Sequence, residues 1–264
     1  MTAVEIVGGR AVNPGAGPAA LTANTGGTFT VRNTGLGTKI HLDGLWYSGA
    51  AAGFVRVRSP RLHDNVQGIK YQTQGGRTAN LMGYRPRTSL IPQDVLTVEI
   101  GGGAAETDDA FLQLYYDDLP GSNGRWSTWE QIYPRIVDLV TVEVSITAAA
   151  TLGDWSAGTA LNATNDLLKA NTDYAWLGYT SALPVGAIAL QGPDLGGLKA
   201  GGPGANNIID NREYFINLDQ AIPDPYIPVI NSANKGGTLA FQADSSAGAA
   251  NLTDFVFAEL APGM

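Results

Sequence analysis

The chain has 264 residues, 44% of them hydrophobic and 15% charged, with 34 glycines, 14 prolines and no cysteine. That length holds one large or two ordinary domains, and the missing cysteines exclude disulfides and thiolate metal sites. The net charge of −8 sits in the second half: residues 1–132 carry 11 basic and 11 acidic side chains, residues 133–264 carry 5 and 13. An overall basic footprint for nucleic acid is absent.

The glycines follow no Gly-X-Y period, which excludes collagen. Frequent turn breakers, many threonines and valines and few long helical patterns predict an all-β protein. The opening stretch MTAVEIVGGR places Glu5 where a signal peptide would need an apolar core. No apolar run approaches the ~18 residues of a membrane-spanning helix, so the expectation is a soluble protein or part of a soluble assembly.

In chain order, residues 4–7 form a short predicted strand, and 28–32 alternate before the turn signal Asn33-Thr34-Gly35. Residues 39–47 are a stronger strand, with Ile40 and Leu42 on one face. Residues 53–58 alternate again, placing Val55 and Val57 opposite Arg56 and Arg58. From Pro60 to Pro86 the polar, glycine-containing sequence reads as a long excursion between strands. Residues 95–100 form a clean strand and 110–116 a nearly continuous apolar one, the kind buried on both faces. A bridge with Trp126, Trp129, Tyr133 and Pro134 leads to a strand at 138–147. Thr164-Asn165-Asp166 before Leu167 suggests a short capped helix. Strands are expected at 173–180, 186–190, 213–218, 238–243 and 254–260, with a glycine-rich loop at 192–204.

Residues 47–60 recur at 179–193. Tyr47 answers to Tyr179, Ser48 to Thr180, Gly53 to Gly186, Val55 to Ile188, Val57 to Leu190 and Pro60 to Pro193, with one residue inserted. The flanks repeat as well: Leu90-Ile91-Pro92, the strand 96–100, a glycine-alanine loop and the strand 109–116 match Tyr226-Ile227-Pro228, 239–243, a serine-glycine-alanine loop and 254–260. A displacement of about 130–145 residues is a domain-length duplication, far beyond the 20–50 residues of solenoid repeats. Two β domains with around eight strands each suit tandem jelly rolls, with immunoglobulin-like sandwiches as the alternative. The expected division is 1–125 for the first jelly roll, 126–134 for an inter-domain bridge and 135–264 for the second.

A tandem of jelly rolls in one short, cysteine-free, glycine-rich chain resembles the double-jelly-roll major capsid proteins of tailless icosahedral viruses, and its size is similar to the smaller members from membrane-containing bacterial viruses. The resemblance covers the whole chain through architecture and repeat, without a short diagnostic motif. It implies homotrimers of pseudo-hexagonal outline that tile an icosahedral capsid lattice. It also implies a virion protein made in the host cytoplasm, whose partners are further copies, minor capsid or vertex proteins and an internal membrane, with no sequence-specific nucleic acid.

The residue inventory bears on chemistry. His41 and His63 are the only histidines, too few and too far apart for a cupin or zinc site. Neither Gly-x-Ser-x-Gly nor a phosphate-binding loop occurs. Asp108-Asp109 and Asp117-Asp118 are paired acids, but strand neighbours point to opposite faces and cannot flank a glycosidic bond on their own. For Asp117 and Asp118, with carbonyls near Asn123, calcium is the functional reading and a solvated turn the bland one. Otherwise no cofactor is expected.

The first half concentrates Arg56, Arg58, Arg61, Arg85 and Arg87. Arg56 and Arg58, where the second copy has Ala189 and Gln191, read as inter-subunit or inter-domain partners of the acidic second half; a face toward anionic lipid or nucleic acid is the alternative. Trp126, Trp129 and Tyr133 read as inter-domain packing, or as a sugar platform. The sequons at Asn162 and Asn251 mean little without a secretory signal. The functional expectation is a capsid subunit that works by assembly without catalysis. A carbohydrate- or receptor-binding β-sandwich, with an aromatic site around Trp46 or Trp155, is the second reading.

Overall fold

The structure is a computed structural model that describes residues 2–262, apart from 16, 25–27, 35–37, 63, 82–88, 103–106, 120, 122–123, 152, 206–208, 223 and 244–249. His63, Arg85, Arg87 and Asn123 therefore lie outside the described residues.

The chain is all-β with antiparallel pairing. The first half contributes β1 (Ala3–Val12), β2 (Ala19–Ala20), β3 (Thr22–Ala23), β4 (Lys39–Ser59), β5 (Asp64–Leu81), β6 (Ser89–Leu90), β7 (Thr97–Gly101) and β8 (Thr107–Asp117). Strand β4 is long enough to serve two layers. Its residues 39–48 pair with β8, residues 54–58 pair with β7, and its register against β5 shifts between Gly49 and Ala52. Split there, the pairing order is β1-β8-β4-β6 in one layer and β2-β7-β4-β5 in the other.

After the bridge come β9 (Trp126–Ser127), helix α1 (Trp129–Ile132), β10 (Ile136–Thr147), β11 (Thr159–Ala160), β12 (Asp173–Ser181), β13 (Val185–Gln191), β14 (Lys199–Ala205), β15 (Ile209–Asn211), helix α2 (Tyr214–Ala221), β16 (Ile227–Asn231), β17 (Leu239–Ala243) and β18 (Ala250–Leu260). They pair as β10-β18-β12-β16 and β11-β17-β13-β14. With the short β3, β9 and β15 set aside and the two parts of β4 counted as third and fourth strands, both halves read first-eighth-third-sixth facing second-seventh-fourth-fifth, the strand order of a jelly roll. The duplication is thus visible in topology: Tyr47 and Tyr179 both lie on the third position, Val55 and Ile188 both on the fourth.

Two-residue periodicity explains the cores. On β10, Val142, Val144 and Ile146 are buried while Glu143 and Ser145 turn outward. The first core gathers Val7, Leu42, Leu45, Val55, Val57, Val98, Ile100, Leu112 and Leu114; the second gathers Val144, Trp176, Ile188, Leu190, Phe215, Phe255 and Phe257. Strand β8 is buried from Asp108 to Tyr116 because Leu112 and Leu114 face its own core while Phe111 and Tyr115 face the second half.

Several local expectations are corrected. The excursion after Pro60 is in large part strand β5, a hairpin partner running along β4. Residues 28–32 make a single bridge, Thr30 to Val95. Residues 164–169 are not helical: Thr164 Oγ1 accepts from the Ser145 amide, and the Lys169 amide donates to the Tyr174 hydroxyl, so a turn across the sandwich takes groups a helix would use. The expected strand at 213–218 is helix α2, which buries Phe215 and Leu218 at a helical spacing of three. Part of the glycine-rich loop at 192–204 is strand β14, where Gly201 lies so close to the Ile188 carbonyl that a Cβ would come within 2.1 Å of it.

Candidate functional site

The two halves meet sheet to sheet. The outward face of β1-β8-β4 in the first half lies on the outward face of β13-β17 in the second. Ile6, Trp46 and Phe111 form one apolar cluster with Trp155, Ala187, Ala189, Phe241 and Ala243. Phe111 meets Trp155 edge-on at 6.3 Å, Trp46 meets Tyr214 at 6.3 Å and Tyr115 meets Tyr226 at 5.1 Å. Gly8 is required under this layer, since a Cβ there would sit 2.1 Å from the Phe111 ring.

Two tyrosine hydroxyls cross the contact to polar groups of the first half. The Tyr226 hydroxyl donates to the fully buried Asp43 carboxylate, and the Tyr214 hydroxyl donates to Gln113 Oε1 at 3.0 Å. Burial raises the Tyr214 phenol well above its ordinary value, so it stays protonated as a donor. The Lys199 ammonium lies 4.6 Å from the centre of the Phe241 ring, and burial lowers its pKa.

The first half's own acids are similarly held. Tyr47, the tyrosine that opens the repeat, donates to Asp108 at 2.8 Å, and Asn13 donates to the same carboxylate oxygen. Glu5 receives Arg32 Nε at 3.0 Å and the Tyr116 hydroxyl at 3.1 Å; burial and the Glu5 charge push the Tyr116 phenol up, and the hydrogen bond to Glu5 raises the Arg32 guanidinium.

Arg56 and Arg58 do lie on one face of β4, opposite the buried Val55 and Val57. The acid that meets them is Glu99 on the adjacent β7: Arg56 Nε donates at 2.7 Å, Arg58 Nε at 2.9 Å and Arg58 Nη2 at 2.7 Å. Within the chain this acid belongs to the first half, so the inter-domain form of the expectation is corrected. The pairing follows from register, because Arg56 sits directly opposite Glu99. Lys70, opposite Arg56 on the other side, stacks over the Phe54 ring at 4.0 Å.

The bridge aromatics divide. Trp126 on β9 pairs with Pro228, and Trp126 and Trp129 pack on the second half's core; the Trp129 amide donates to Asp219 on α2. Tyr133 does not pack between the halves: it is 65% exposed, touching the Trp129 ring at 5.3 Å. The inter-half aromatic contacts instead come from Trp46, Phe111, Tyr115, Trp155, Tyr214 and Tyr226. Trp46, Phe111 and Tyr115 sit on strand faces whose direction only register decides, and Trp155, Tyr214 and Tyr226 reach the contact from an isolated bridge, helix α2 and the residue before β16.

Asp117 closes β8 opposite Lys39, and Asp118 takes the left-handed conformation at φ 55° that reverses the chain. Among the described residues no three His, Cys, Asp or Glu side chains gather as a metal site. His41 Nδ1 lies 3.3 Å from the Ser89 hydroxyl. An aromatic sugar site at Trp46 or Trp155 is overturned, because both rings are buried between the halves. Two surface clefts, of about 490 and 530 Å³, are lined among the described residues without tryptophan: one by Asp210, Arg212 and Glu213, the other by Asp173, Asn231 and Glu259 together with Val137 and Leu260.

No helix among the described residues is long and apolar enough to cross a membrane. No family model matches the chain, and no curated protein matches it. Among solved structures it is similar to the PBSX exported protein XepA, at 9% identity over 96% of this chain and 85% of that one with a TM-score of 0.26. It is similar to the STIV MCP at 9% identity, covering 99% and 97%, with a TM-score of 0.22. It is also similar to the major capsid protein P2 from bacteriophage PM2 at 13% identity, covering 100% and 99%, with a TM-score of 0.21. At these scores the fold assignment rests on the strand order described above.

Proposed function

We propose that this chain is a structural virion subunit: a major capsid protein whose two jelly rolls, divided by the bridge at 126–134, assemble as trimers of pseudo-hexagonal outline into an icosahedral shell. One observation carries the reading. The chain already stacks one jelly roll on another through broad sheet faces, with Ile6, Trp46, Phe111, Ala189 and Phe241 buried between them. A shell needs that same operation repeated between molecules. The buried acids of the first half support it, since Glu5, Asp43, Asp108 and Asp109 are engaged by Arg32, Tyr226, Tyr47 and Arg10 as parts of the scaffold. The unit works by assembly without catalysis, its partners are copies of itself and other shell proteins, and its place is the virion.

Size-exclusion chromatography with light scattering, followed by electron microscopy, tests this directly. Trimers or larger closed particles are expected. A chain that remains monomeric at the highest soluble concentration overturns the reading.

A further inference from the structure

Each jelly roll has two outward sheet faces, and the contact between the halves uses one from each. Two faces are left over: the outward face of β2-β7-β4-β5 in the first half and the outward face of β10-β18-β12 in the second. The repeat allows the leftover faces to be compared, residue by residue, with their buried counterparts.

With Tyr47 equivalent to Tyr179, register carries the match outward. Tyr47 lies opposite Ala110 and Tyr179 opposite Phe255, so Asp109 corresponds to Asp254. Arg10 lies opposite Asp109 and Glu143 opposite Asp254, so Arg10 corresponds to Glu143. Four residues earlier on the same strands, Ile6 corresponds to Leu139. Ile6 is 1% exposed because the second half covers it; Leu139 is 62% exposed with Val137 at 59% beside it, while Leu252, at 47%, lies beyond Asp254 opposite Ser145. The second half thus carries an apolar patch where the first half carries a covered one.

The charges at the same positions differ in kind. In the first half Arg10 neutralises Asp109 at 3.0 Å. In the second half two carboxylates, Glu143 and Asp254, stand directly opposite each other, an arrangement that is destabilising unless a cation is brought to it. The other leftover face supplies cations. Where the buried face has Ala189 and Phe241, opposite each other in register, this one has Arg56 and Glu99, with Arg58 and Lys70 alongside. Three cations against one carboxylate leave two positive charges, matching the two negative charges of Glu143 and Asp254.

We infer that the Arg56–Arg58 face of one molecule docks on the Leu139–Glu143–Asp254 face of a second copy, repeating between chains the sheet-on-sheet contact made within one. The contact is head-to-tail, so it closes into a ring or propagates. It rests on the assembly reading above and specifies which surfaces carry it.

The test uses the full-length chain. Glu143→Lys with Asp254→Lys, on the half-buried outer face, should weaken self-association by about a hundredfold, the scale expected for reversing close charge pairs. The cysteine-free sequence permits a second readout that does not depend on reversing charge: Leu139→Cys should react with a maleimide fast in dilute protein and at least about tenfold slower once assembled. Leu167→Cys, 55% exposed on the loop between β11 and β12 and outside the strands of this face, should react alike in both. Circular dichroism confirms that each variant is folded. If wild-type protein assembles, the double-lysine variant assembles equally well and Leu139→Cys stays reactive, this pairing of faces is wrong while the assembly reading stands. A wild-type chain that never associates sinks both.

Discussion

Position 189 offers a quantitative check on how the halves meet, because its counterpart in the first half is Arg56. Ala189→Arg would copy the first half's residue into the second. Ala189 is fully buried, opposite Phe241 and in one cluster with Ile6 and Phe111, so a guanidinium there would face apolar side chains. Stranding an unpaired charge in such a contact costs about 3–5 kcal/mol. At roughly 2–4 °C per kcal/mol for a chain of this size class, the melting midpoint should fall on the order of 10 °C. Trp46 and Trp155 lie in the contact, so tryptophan fluorescence reports its opening directly. The mirror-image change, Arg56→Ala, should cost less than about 1 kcal/mol, since Arg58 still holds Glu99 through two hydrogen bonds. Equal and small effects at the two positions would refute the closed sheet-on-sheet contact.

Other consequences are smaller in scale. Tyr226→Phe removes the hydroxyl that donates to buried Asp43 and should cost about 1–3 kcal/mol in urea unfolding. Hydrogen bonds from Arg125 lower the pKa of Asp173, and Asn231 adds to the effect. A carboxylate depressed in the folded state contributes stability that is present above its unfolded value near ~3.9 and lost as pH falls through the folded one. Wild type should therefore lose more stability than Asp173→Asn over that acidic window, measured by melting midpoints at stepped pH. Gly8→Val should prevent the halves from closing, since even a Cβ meets the Phe111 ring at 2.1 Å; near-ultraviolet circular dichroism reads the loss.

The all-β class and the duplication were legible in the sequence because both depend on local signals. Val55 and Val57 against Ile188 and Leu190 repeat a two-residue period, and the structure puts both on the fourth strand of a jelly roll. Helix α2 was expected as a strand because Tyr214 and Phe215 favour strands in isolation, although Phe215, Leu218 and Ile222 carry a helical spacing. Thr128 and Gln131 form a capping box whose sequence signature was likewise present. Register was not legible. That Arg56 lies opposite Glu99, or Glu143 opposite Asp254, depends on pairings between residues tens of positions apart, and a slip of one reverses every face. The aromatic contacts between halves share that origin, which is why Trp46 and Trp155 read as exposed platforms from sequence and are buried in the fold.

The difference between the covered faces and the leftover ones has a physical logic. The halves of one chain are tethered, so their contact is always within reach and can be apolar, as Ala187, Ala189, Phe241 and Phe111 are. A contact between separate chains must leave each chain soluble beforehand, which favours charges around a small apolar centre such as Leu139. Charged faces also steer encounter, and this steering is screened by salt. Raising salt from about 0.05 to about 0.5 M shortens the Debye length from roughly 14 Å to about 4 Å. Self-association should then weaken several-fold by sedimentation while the fluorescence melt of the intrachain contact stays within a few degrees. Association that strengthened with salt would mean that Leu139 and Val137 dominate the contact and that the charges of Arg56, Arg58, Glu143 and Asp254 do not select it.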